Sequence, residues 1–273
     1  MMNVTKLFSD LHRRDRPMFV MPNAWCEGSA RLIEQLGYSS LGTTSAGIAY
    51  ARGYRDSSPA MDDEMRFESI SRIVQAVRIP VSADLENGFA STLEGVVDNF
   101  MRALDAGCAG ASLEDVADYN DPRSLVFFDL ERASDRVRSV CESTKARDPD
   151  FVVTARTDYL LGPHEYSLSK VIERLVAFER AGADCLFAPG LKTIEDLAAV
   201  QSELSKPVSV LPVPGMTLDR LVASRVQRVS LGSSLFRAAY MQIQTILAGF
   251  DQQAGMEFMP NALTSEFLDK MMR

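Results

Sequence analysis

The sequence predicts an α/β protein, a (β/α)8 TIM barrel that forms a single domain over residues 1–273. The length of 273 residues is close to the roughly 250 that such a barrel needs. Short apolar runs alternate with amphipathic helical stretches eight times along the chain. Several of these runs follow an Ala-Gly pair, as at Ala106-Gly107 and Ala181-Gly182, where glycine can take the left-handed conformation that ends a helix.

Eight candidate strands follow one another, each rich in β-branched or apolar residues. They cover residues 18–23, 39–45, 79–86, 109–114, 151–157, 185–189, 208–213 and 229–232. Because a helical stretch separates each strand from the next, we expect parallel strands. The active site of such a barrel lies at the carboxyl ends of its strands, so the residues just after each strand are the informative ones.

An apolar helical extension, about residues 249–273, follows the last barrel helix and contains no strand of its own. A helix beyond a complete barrel has no partner left within that barrel. Two arrangements therefore stay open. The extension either caps its own barrel or is swapped between the subunits of a homo-oligomer, which would be a dimer or a tetramer.

The composition excludes several classes of partner. With 29 Lys+Arg against 37 Asp+Glu, the net charge of −8 gives no basic excess for nucleic acid or for an anionic membrane. The four cysteines form no C-x-x-C pair, and only two histidines occur, which argues against a zinc site. No signal peptide or membrane-length apolar stretch is visible, so we expect a cytoplasmic protein that binds a small molecule.

Four carboxylates, Asp56, Asp84, Glu86 and Glu114, lie at or after the ends of strands two to four. Asp84 and Glu86 are two residues apart, a spacing that directs both side chains to one face of a strand. Like charges gathered in one pocket need a cation or protons to be tolerated. Oxygen ligands without histidine favour Mg²⁺ (or Mn²⁺), although solvated strand ends or helix caps are the simpler alternative.

Two further stretches suggest a ligand site. Arg156, at the end of strand five, could clamp a substrate carboxylate through two parallel hydrogen bonds, pair internally with Glu114 or Asp158, or do both. In T-T-S-A-G, residues 43–47, small side chains let main-chain N–H groups approach a ligand, and Ser45 adds a hydroxyl. An ordinary strand-to-loop turn would have the same spacing.

Phrases spread over most of the chain resemble the isocitrate lyase and phosphoenolpyruvate mutase superfamily. They are P-N-A-W-C-E-G-S-A-R-L, T-T-S-A-G, G-Y-R-D, S-A-D-L-E-N-G, G-A-S-L-E-D, A-R-T-D and A-G-A-D-C-L-F-A-P-G. The resemblance implies a Mg²⁺-dependent barrel acting on small α-oxo or 2-hydroxy carboxylates. It also implies a tetramer whose terminal helix is exchanged between subunits.

The resemblance also assigns roles to residues. It implies that Asp84 binds the metal directly, while the other three carboxylates, Asp56, Glu86 and Glu114, hold the metal's water ligands. The predicted substrate-binding set is Trp25, Thr43, Ser45, Ala46, Gly47 and Arg156. The resemblance implies the last four, whereas Trp25 and Thr43 are expected to set side-chain specificity, and the superfamily often has an aromatic residue at the position of Thr43. Within it, residues 45–47 would cradle the carboxylate and oxo group. The implied catalytic residues are Ser45, Arg156 and Glu114.

One loop departs from the superfamily pattern. Lyase members carry K-x-C-G after strand four, and its cysteine protonates an enolate, whereas residues 114–129 here contain no lysine, cysteine or glycine. This disfavours isocitrate or methylisocitrate cleavage, and the missing lysine also disfavours reactions at a C–P bond. Asp118, Tyr119 and Asp121 are candidate replacement acids, although a solvated polar loop is the favoured interpretation.

The sequence therefore predicts a Mg²⁺-dependent lyase or decarboxylase, a carbon-carbon lyase that acts on a small α-oxo or 2-hydroxy carboxylate through an enolate intermediate. Decarboxylation fits the altered loop best, because water can protonate the enolate and no loop acid is required. The alternatives are a phosphonopyruvate- or phosphoenolpyruvate-type C–P enzyme, or a non-catalytic barrel that binds an oxo acid. A Schiff-base aldolase using Lys192 and a phosphate site at 232–234 are weaker alternatives.

Overall fold

The computed structural model describes residues 3–119, 124–250 and 262–272. A parallel barrel sheet runs in the order β1-β11-β10-β9-β8-β5-β4-β3-β2, and an antiparallel hairpin, β6-β7, stands beside it. The strands are β1 (Phe19–Met21), β2 (Asn23–Ala24), β3 (Leu41–Thr43), β4 (Val81–Asp84), β5 (Gly110–Glu114), β6 (Val116–Asp118), β7 (Val126–Phe127), β8 (Val152–Arg156), β9 (Cys185–Phe187), β10 (Val208–Val210) and β11 (Arg228–Ser230).

Helices cover the outside of the barrel and connect its strands. They are α1 (Val4–Leu11), α2 (Glu27–Gln35), α3 (Ser45–Ala51), α4 (Asp63–Ala76), α5 (Leu93–Asp105), α6 (Leu130–Arg147), α7 (Leu168–Arg180), α8 (Ile194–Ser202), α9 (Leu218–Ala223), α10 (Ser234–Phe250) and α11 (Ser265–Met271), with a 3-10 turn at Tyr159–Leu161. The main core lies between this helical layer and the sheet. The predicted barrel is confirmed.

The first predicted strand is divided in two at Pro22, and we call this break the seam. β1 pairs with β11 on one side, while β2 pairs with β3 on the other. Proline has no N–H to donate, so it interrupts the ladder there. The side chain of Asn23 spans the break, because its Oδ1 accepts hydrogen bonds from Ser230 Oγ and from the Leu231 and Gly232 amides at 2.9–3.0 Å. The backbone is continuous through Pro22, so the ring stays closed there, and the Asn23 side chain adds hydrogen bonds to the end of β11.

Most strand ends differ from their predicted positions by one to three residues, and two of these differences change the site. The second strand ends at Thr43, because Thr44 caps α3 by accepting the Gly47 N–H at 3.2 Å. Ser45 is therefore helical. The third strand ends at Asp84, and Glu86 has φ +50°, outside the strand. The expectation that Asp84 and Glu86 leave one face of a strand is wrong, since the backbone turns between them.

Helix α1 closes the end of the barrel at which the strands begin. Its Phe8 is fully buried in a small cluster with Phe19 and Met21 of β1 and with Val152 of β8. Gly110 makes room for the Phe8 ring, because a Cβ there would lie 3.0 Å from Phe8 Cε1. The barrel is thus plugged at one end and open only at the other, where the carboxyl ends of the strands lie.

The C-terminal helices leave the barrel. Helix α11 packs on α2 of the same chain, where Met271 is buried and Met272 approaches Gly28. The part of the predicted extension at residues 251–261 lies outside the described residues, and exchange between subunits stays a prediction. Within the described ranges, no helix is both long and apolar enough to span a membrane.

Candidate active site

Asp84 lies at the carboxyl end of β4 and is held from several sides. Its Oδ2 accepts hydrogen bonds from the amide and hydroxyl of Ser45, at 3.1 and 3.0 Å, and its Oδ1 accepts one from Ser112 Oγ at 3.2 Å. Its own N–H donates to Thr43 Oγ1 at 2.9 Å. A carboxylate has about four lone-pair sites, so one acceptor position remains for a ligand.

Arg156 ends β8 and makes both of the internal pairings that the sequence left open. Its Nε and Nη2 donate to the Asp158 carboxylate at 2.5 and 2.8 Å, and Nη1 lies 2.6 Å from Glu114 Oε1. Burial alone would lower the pKa of Arg156, but the carboxylates of Asp158, Glu114 and Asp84 outweigh it and hold the pKa above its usual value. Two of the five guanidinium hydrogens remain for a substrate.

Glu114 is buried at the end of β5, and the loop after it turns back onto the site. Tyr119 Oη donates to Glu114 Oε2 at 2.5 Å. Burial raises the pKa of Glu114, with Arg156 opposing this, and burial also raises the pKa of Tyr119. The favoured interpretation of this loop as solvated is wrong for Tyr119, and Asp121 lies outside the described residues.

Glu86, which is buried, and Asp56, which is half-buried, complete the group of acids. Among the described residues, Asp56 Oδ1 is buried without a hydrogen-bond partner. Burial, followed by repulsion from Asp84, raises the pKa of Asp56 to about 6. Burial and repulsion from Asp56 raise the pKa of Glu86 to about 7, although Arg66 Nε lies 3.9 Å from Glu86 Oε1. Solvated strand ends do not fit this environment, since water does not surround these carboxylates.

Two adjoining cavities bring these side chains together. The first, of about 170 Å³, has Thr43, Ser45, Ala46, Asp84 and Arg156 in its wall. The second, of about 360 Å³, adds Glu86, Glu114 and Tyr119. The cavities share Ser45, Asp56 and Arg156. Eight of the ten residues predicted for the site therefore line one continuous region.

The other two predicted residues, Trp25 and Gly47, lie behind the wall of the cavities. The Trp25 ring packs edge-on against Phe236, with centroids 5.4 Å apart. Gly47 lets this packing approach closely, because a Cβ there would lie 3.1 Å from Trp25 Cβ and 2.6 Å from Thr44 Cγ2. Substrate contact by either residue stays a prediction.

Sequence reasoning missed the residues that support the site. Asp115 is buried, accepts the Asp158 N–H at 3.0 Å and pairs with Arg174 Nε at 2.6 Å. This contact fixes the residue that holds the Arg156 guanidinium. In the sequence Asp115 appears only as the last residue of G-A-S-L-E-D. The available signal was an arginine at position 174 on the buried face of an amphipathic helix.

The acids fit a hydrated hard cation better than a closed metal cage. The unpartnered Asp56 oxygen and the raised carboxylate pKa values indicate negative charge that the protein itself leaves uncompensated. Within the described ranges, no three histidine, cysteine, aspartate or glutamate side chains converge into a complete metal site. An ion such as Mg²⁺, which keeps several waters and takes few protein ligands, suits this arrangement.

The fold and the site define a (β/α)8 barrel with an acidic pocket that contains Arg156 at the carboxyl ends of its strands. Residues 8–250 match the family model described as phosphoenolpyruvate phosphomutase, and the chain belongs to that family. The superfamily resemblance inferred from the sequence is confirmed.

Relatives and solved structures agree with this membership. The uncharacterised protein Rv1998c of Mycobacterium tuberculosis is 32% identical over 232 residues, 85% of this chain and 83% of that protein. An oxaloacetate decarboxylase of Rhodopseudomonas palustris is 28% identical, over 76% of this chain and 71% of its own. The crystal structure of a putative lyase/mutase from Burkholderia cenocepacia J2315 has 32% identity and a TM-score of 0.90, covering 98% of this chain and 94% of that one.

Proposed function

We propose that this protein is a Mg²⁺-dependent lyase or decarboxylase that breaks a carbon-carbon bond in a small α-oxo or 2-hydroxy carboxylate. The observation that carries the proposal is the cluster of Asp56, Asp84, Glu86 and Glu114 around Arg156, whose Nη1 lies 2.6 Å from Glu114 Oε1. Asp56, Asp84 and Arg156 line a cavity of about 170 Å³. A cavity of that size suits a small acid. The excess of buried negative charge suits a dication.

The residues divide into a metal group and a substrate group. Asp84 would hold Mg²⁺ directly through its remaining acceptor position, while Asp56, Glu86 and Glu114 would orient the waters around the ion. When bound, the ion supplies a positive charge that stabilises the negative charge developing on the substrate's oxo oxygen.

The substrate group orients the acid. The two remaining guanidinium hydrogens of Arg156 would pair with the substrate carboxylate, which lies in a part of the site from which water is largely excluded. Ser45 keeps its hydroxyl on Asp84 Oδ2 at 3.0 Å, so it would set the angle between that carboxylate and the substrate. Ala46, at the first turn of α3, contributes backbone to the same wall.

The loop chemistry favours decarboxylation over the other reactions. The loop lacks the lysine and cysteine that cleavage of larger substrates uses. Decarboxylation fits this loop, because water can protonate the enolate that remains after carbon dioxide leaves, and one relative is named an oxaloacetate decarboxylase. Tyr119 is the candidate acid for a step that requires a proton. Its hydrogen bond to Glu114 holds the hydroxyl at the site.

We also propose a cytoplasmic homo-oligomer, a dimer or tetramer, in which the C-terminal helices form contacts between subunits. Helix α10 exposes Tyr240, Met241, Ile243 and Leu247 on its surface, an apolar set that a neighbouring subunit would cover. Light scattering coupled to gel filtration should give a multiple of the 30.1 kDa chain mass. A monomer at micromolar concentration would contradict this part of the proposal.

The function is tested by following the loss of oxaloacetate, other small oxo acids, methylmalate-type acids and phosphonopyruvate, with Mg²⁺ and with EDTA. We expect Mg²⁺-dependent turnover of an oxo acid that Asp84→Ala abolishes, while Asp98→Asn, an exposed acid on α5, keeps full activity. Turnover that persists in EDTA would refute the metal role. Tight binding without turnover would favour the non-catalytic alternative, and turnover of phosphonopyruvate alone would favour the C–P alternative.

A further inference from the structure

Arg228 is a buried cation inside the barrel, away from the acidic cluster. It is the first residue of β11, in register with Phe19 of β1 and Ser209 of β10, and its residue exposure is 2%. Its side chain points into the barrel, where it reaches across to β8 and to helix α1. Arginine is rarely buried to this degree unless it is paired.

The protein gives Arg228 only neutral partners. Its Nε donates to Ser209 Oγ at 3.0 Å, and its Nη1 donates to Thr154 Oγ1 at 3.1 Å and to His12 Nε2 at 3.2 Å. Because arginine can only donate, His12 must be neutral, with its Nδ1 hydrogen donated to Phe8 O at 2.8 Å. In the described parts of the chain, neither hydrogen of Nη2 meets an acceptor.

The positive charge of Arg228 is also uncompensated. Among the described residues, no carboxylate lies within the 4.0 Å that defines an ion pair with this guanidinium. Burial lowers its pKa, and only the thiol of Cys185 opposes that effect. An unpaired buried cation costs several kcal/mol, so an anion that reached it would bind strongly.

The open cavity reaches Arg228. The same 170 Å³ space that contains Asp84 and Arg156 in its wall also contains Arg228, Ser230 and Asn23. Hydroxyl and amide side chains such as Asn23, Ser82 and Ser112 line this interior together with apolar ones such as Met21 and Leu211, whereas branched aliphatic layers usually fill such a barrel. A polar ligand can therefore extend from the mouth of the cavity, at Asp84 and Arg156, toward its floor, at Arg228.

The distance between the two charged regions can be followed through neighbouring strands. Ser112 donates to Asp84 Oδ1 at 3.2 Å, Ser112 is in register with Thr154, and Thr154 accepts from Arg228. Because adjacent strands lie about 4.8 Å apart, the Asp84 carboxylate and the Arg228 guanidinium are on the order of 10 Å apart. A four- or five-carbon acid with hydrogen bonds at both ends can bridge that separation.

We propose that Arg228, with Thr154 and Ser209, forms a carboxylate subsite at the floor of the cavity that takes the distal carboxylate of a dicarboxylic oxo acid. The inference rests on the proposed function and restricts its substrate class to oxo acids with two carboxylates. The oxo-acid end of the substrate lies at the mouth with Asp84 and Arg156, and the second carboxylate lies on the free Nη2 edge of Arg228. Dicarboxylic oxo acids are then preferred over monocarboxylic ones such as pyruvate.

Calorimetric titration in Mg²⁺ tests this with two ligands, oxalate and 3,3-difluorooxaloacetate. Oxalate is too short to span the cavity, so its affinity measures binding beside Asp84 and Arg156 only. The affinity of the four-carbon diacid measures binding there and at Arg228 together. In Arg228→Gln we expect diacid affinity to fall roughly 10- to 100-fold, with oxalate affinity changed less than threefold. Arg228→Lys should recover part of the loss, and Arg220→Gln, an exposed arginine on α9, should bind both ligands as the unaltered protein does.

Equal diacid affinity in the unaltered protein and in Arg228→Gln would overturn the subsite. Failure of oxalate to bind the unaltered protein would refute the proposed function instead. In that case, binding at Arg228 is measured with succinate alone. Succinate should still raise the melting temperature of the unaltered protein but not of Arg228→Gln, and the absence of that difference overturns the subsite. If Arg228→Gln does not fold, Arg228→Met, which fills similar volume without charge, carries the same comparisons.

Discussion

Replacing Asp56 by asparagine should stabilise the metal-free protein at neutral and higher pH. The native pKa of Asp56 is about 6, against an ordinary value of 3.8, because burial and then Asp84 disfavour its charged form. The native state therefore holds this proton more tightly than the unfolded chain does. The favourable contribution is fully present below about pH 4 and is lost as pH rises through about 6.

The size of the effect follows from the pKa shift. A shift of about two units corresponds to up to roughly 3 kcal/mol of unfolding free energy once Asp56 is ionised. Asparagine cannot ionise, so Asp56→Asn should match the unaltered protein at pH 4 and exceed it by up to roughly 3 kcal/mol at pH 8. Both measurements are made in EDTA, so that no dication masks the repulsion.

Urea denaturation followed by the fluorescence of Trp25, the single tryptophan, measures the difference, with circular dichroism as a second probe. Asp98→Asn, which changes an exposed acid on α5, is the matched control and should show no such pH-dependent gain. Adding Mg²⁺ should stabilise the unaltered protein more than Asp56→Asn. The reasoning is refuted if Asp56→Asn is the less stable protein at pH 8 without metal, or if its advantage does not change with pH.

Three further outcomes follow from buried contacts. Thr43→Val removes the acceptor of the Asp84 N–H and should cost about 1–3 kcal/mol by urea denaturation, with Thr43→Ser restoring stability. Asp115→Asn leaves Arg174 without its buried partner and should cost about 3–5 kcal/mol, so an unchanged melting temperature would contradict the pairing. His12 has a pKa of about 3 because it is buried, so stability should fall as pH drops below 6.5, and His12→Gln should flatten that acid limb in denaturation at pH 7, 5 and 4.

The barrel could be predicted because its signal is local and repeated. Each apolar run with its following helix carries the pattern independently, so errors of one to three residues at strand ends do not change the topology. The position of Glu86 could not be predicted, because the two-residue spacing from Asp84 has meaning only while the strand continues. The chain leaves the ladder after Asp84 and takes a left-handed turn at Glu86.

The charged residues of the site were predicted more completely than the residues that hold them in place. The acids and Arg156 were recognisable because charged residues are unusual after apolar strands. Arg174 reaches Asp115 from 59 positions away, and Thr43 reaches the Asp84 amide from the adjacent strand. No spacing rule links such partners, since only the tertiary fold brings them together.

The seam at Pro22 is the place where the first predicted strand changes partner, from β11 to β3. The β1–β11 ladder ends at Met21 and Ser230, and beyond it the Leu231 and Gly232 amides donate to the Asn23 side chain. We expect these two amides to exchange with deuterium sooner than their neighbours in β10 and β11. Because Asn23 and Gly232 also line the first cavity, transient loss of these side-chain hydrogen bonds would loosen the cavity wall at this point.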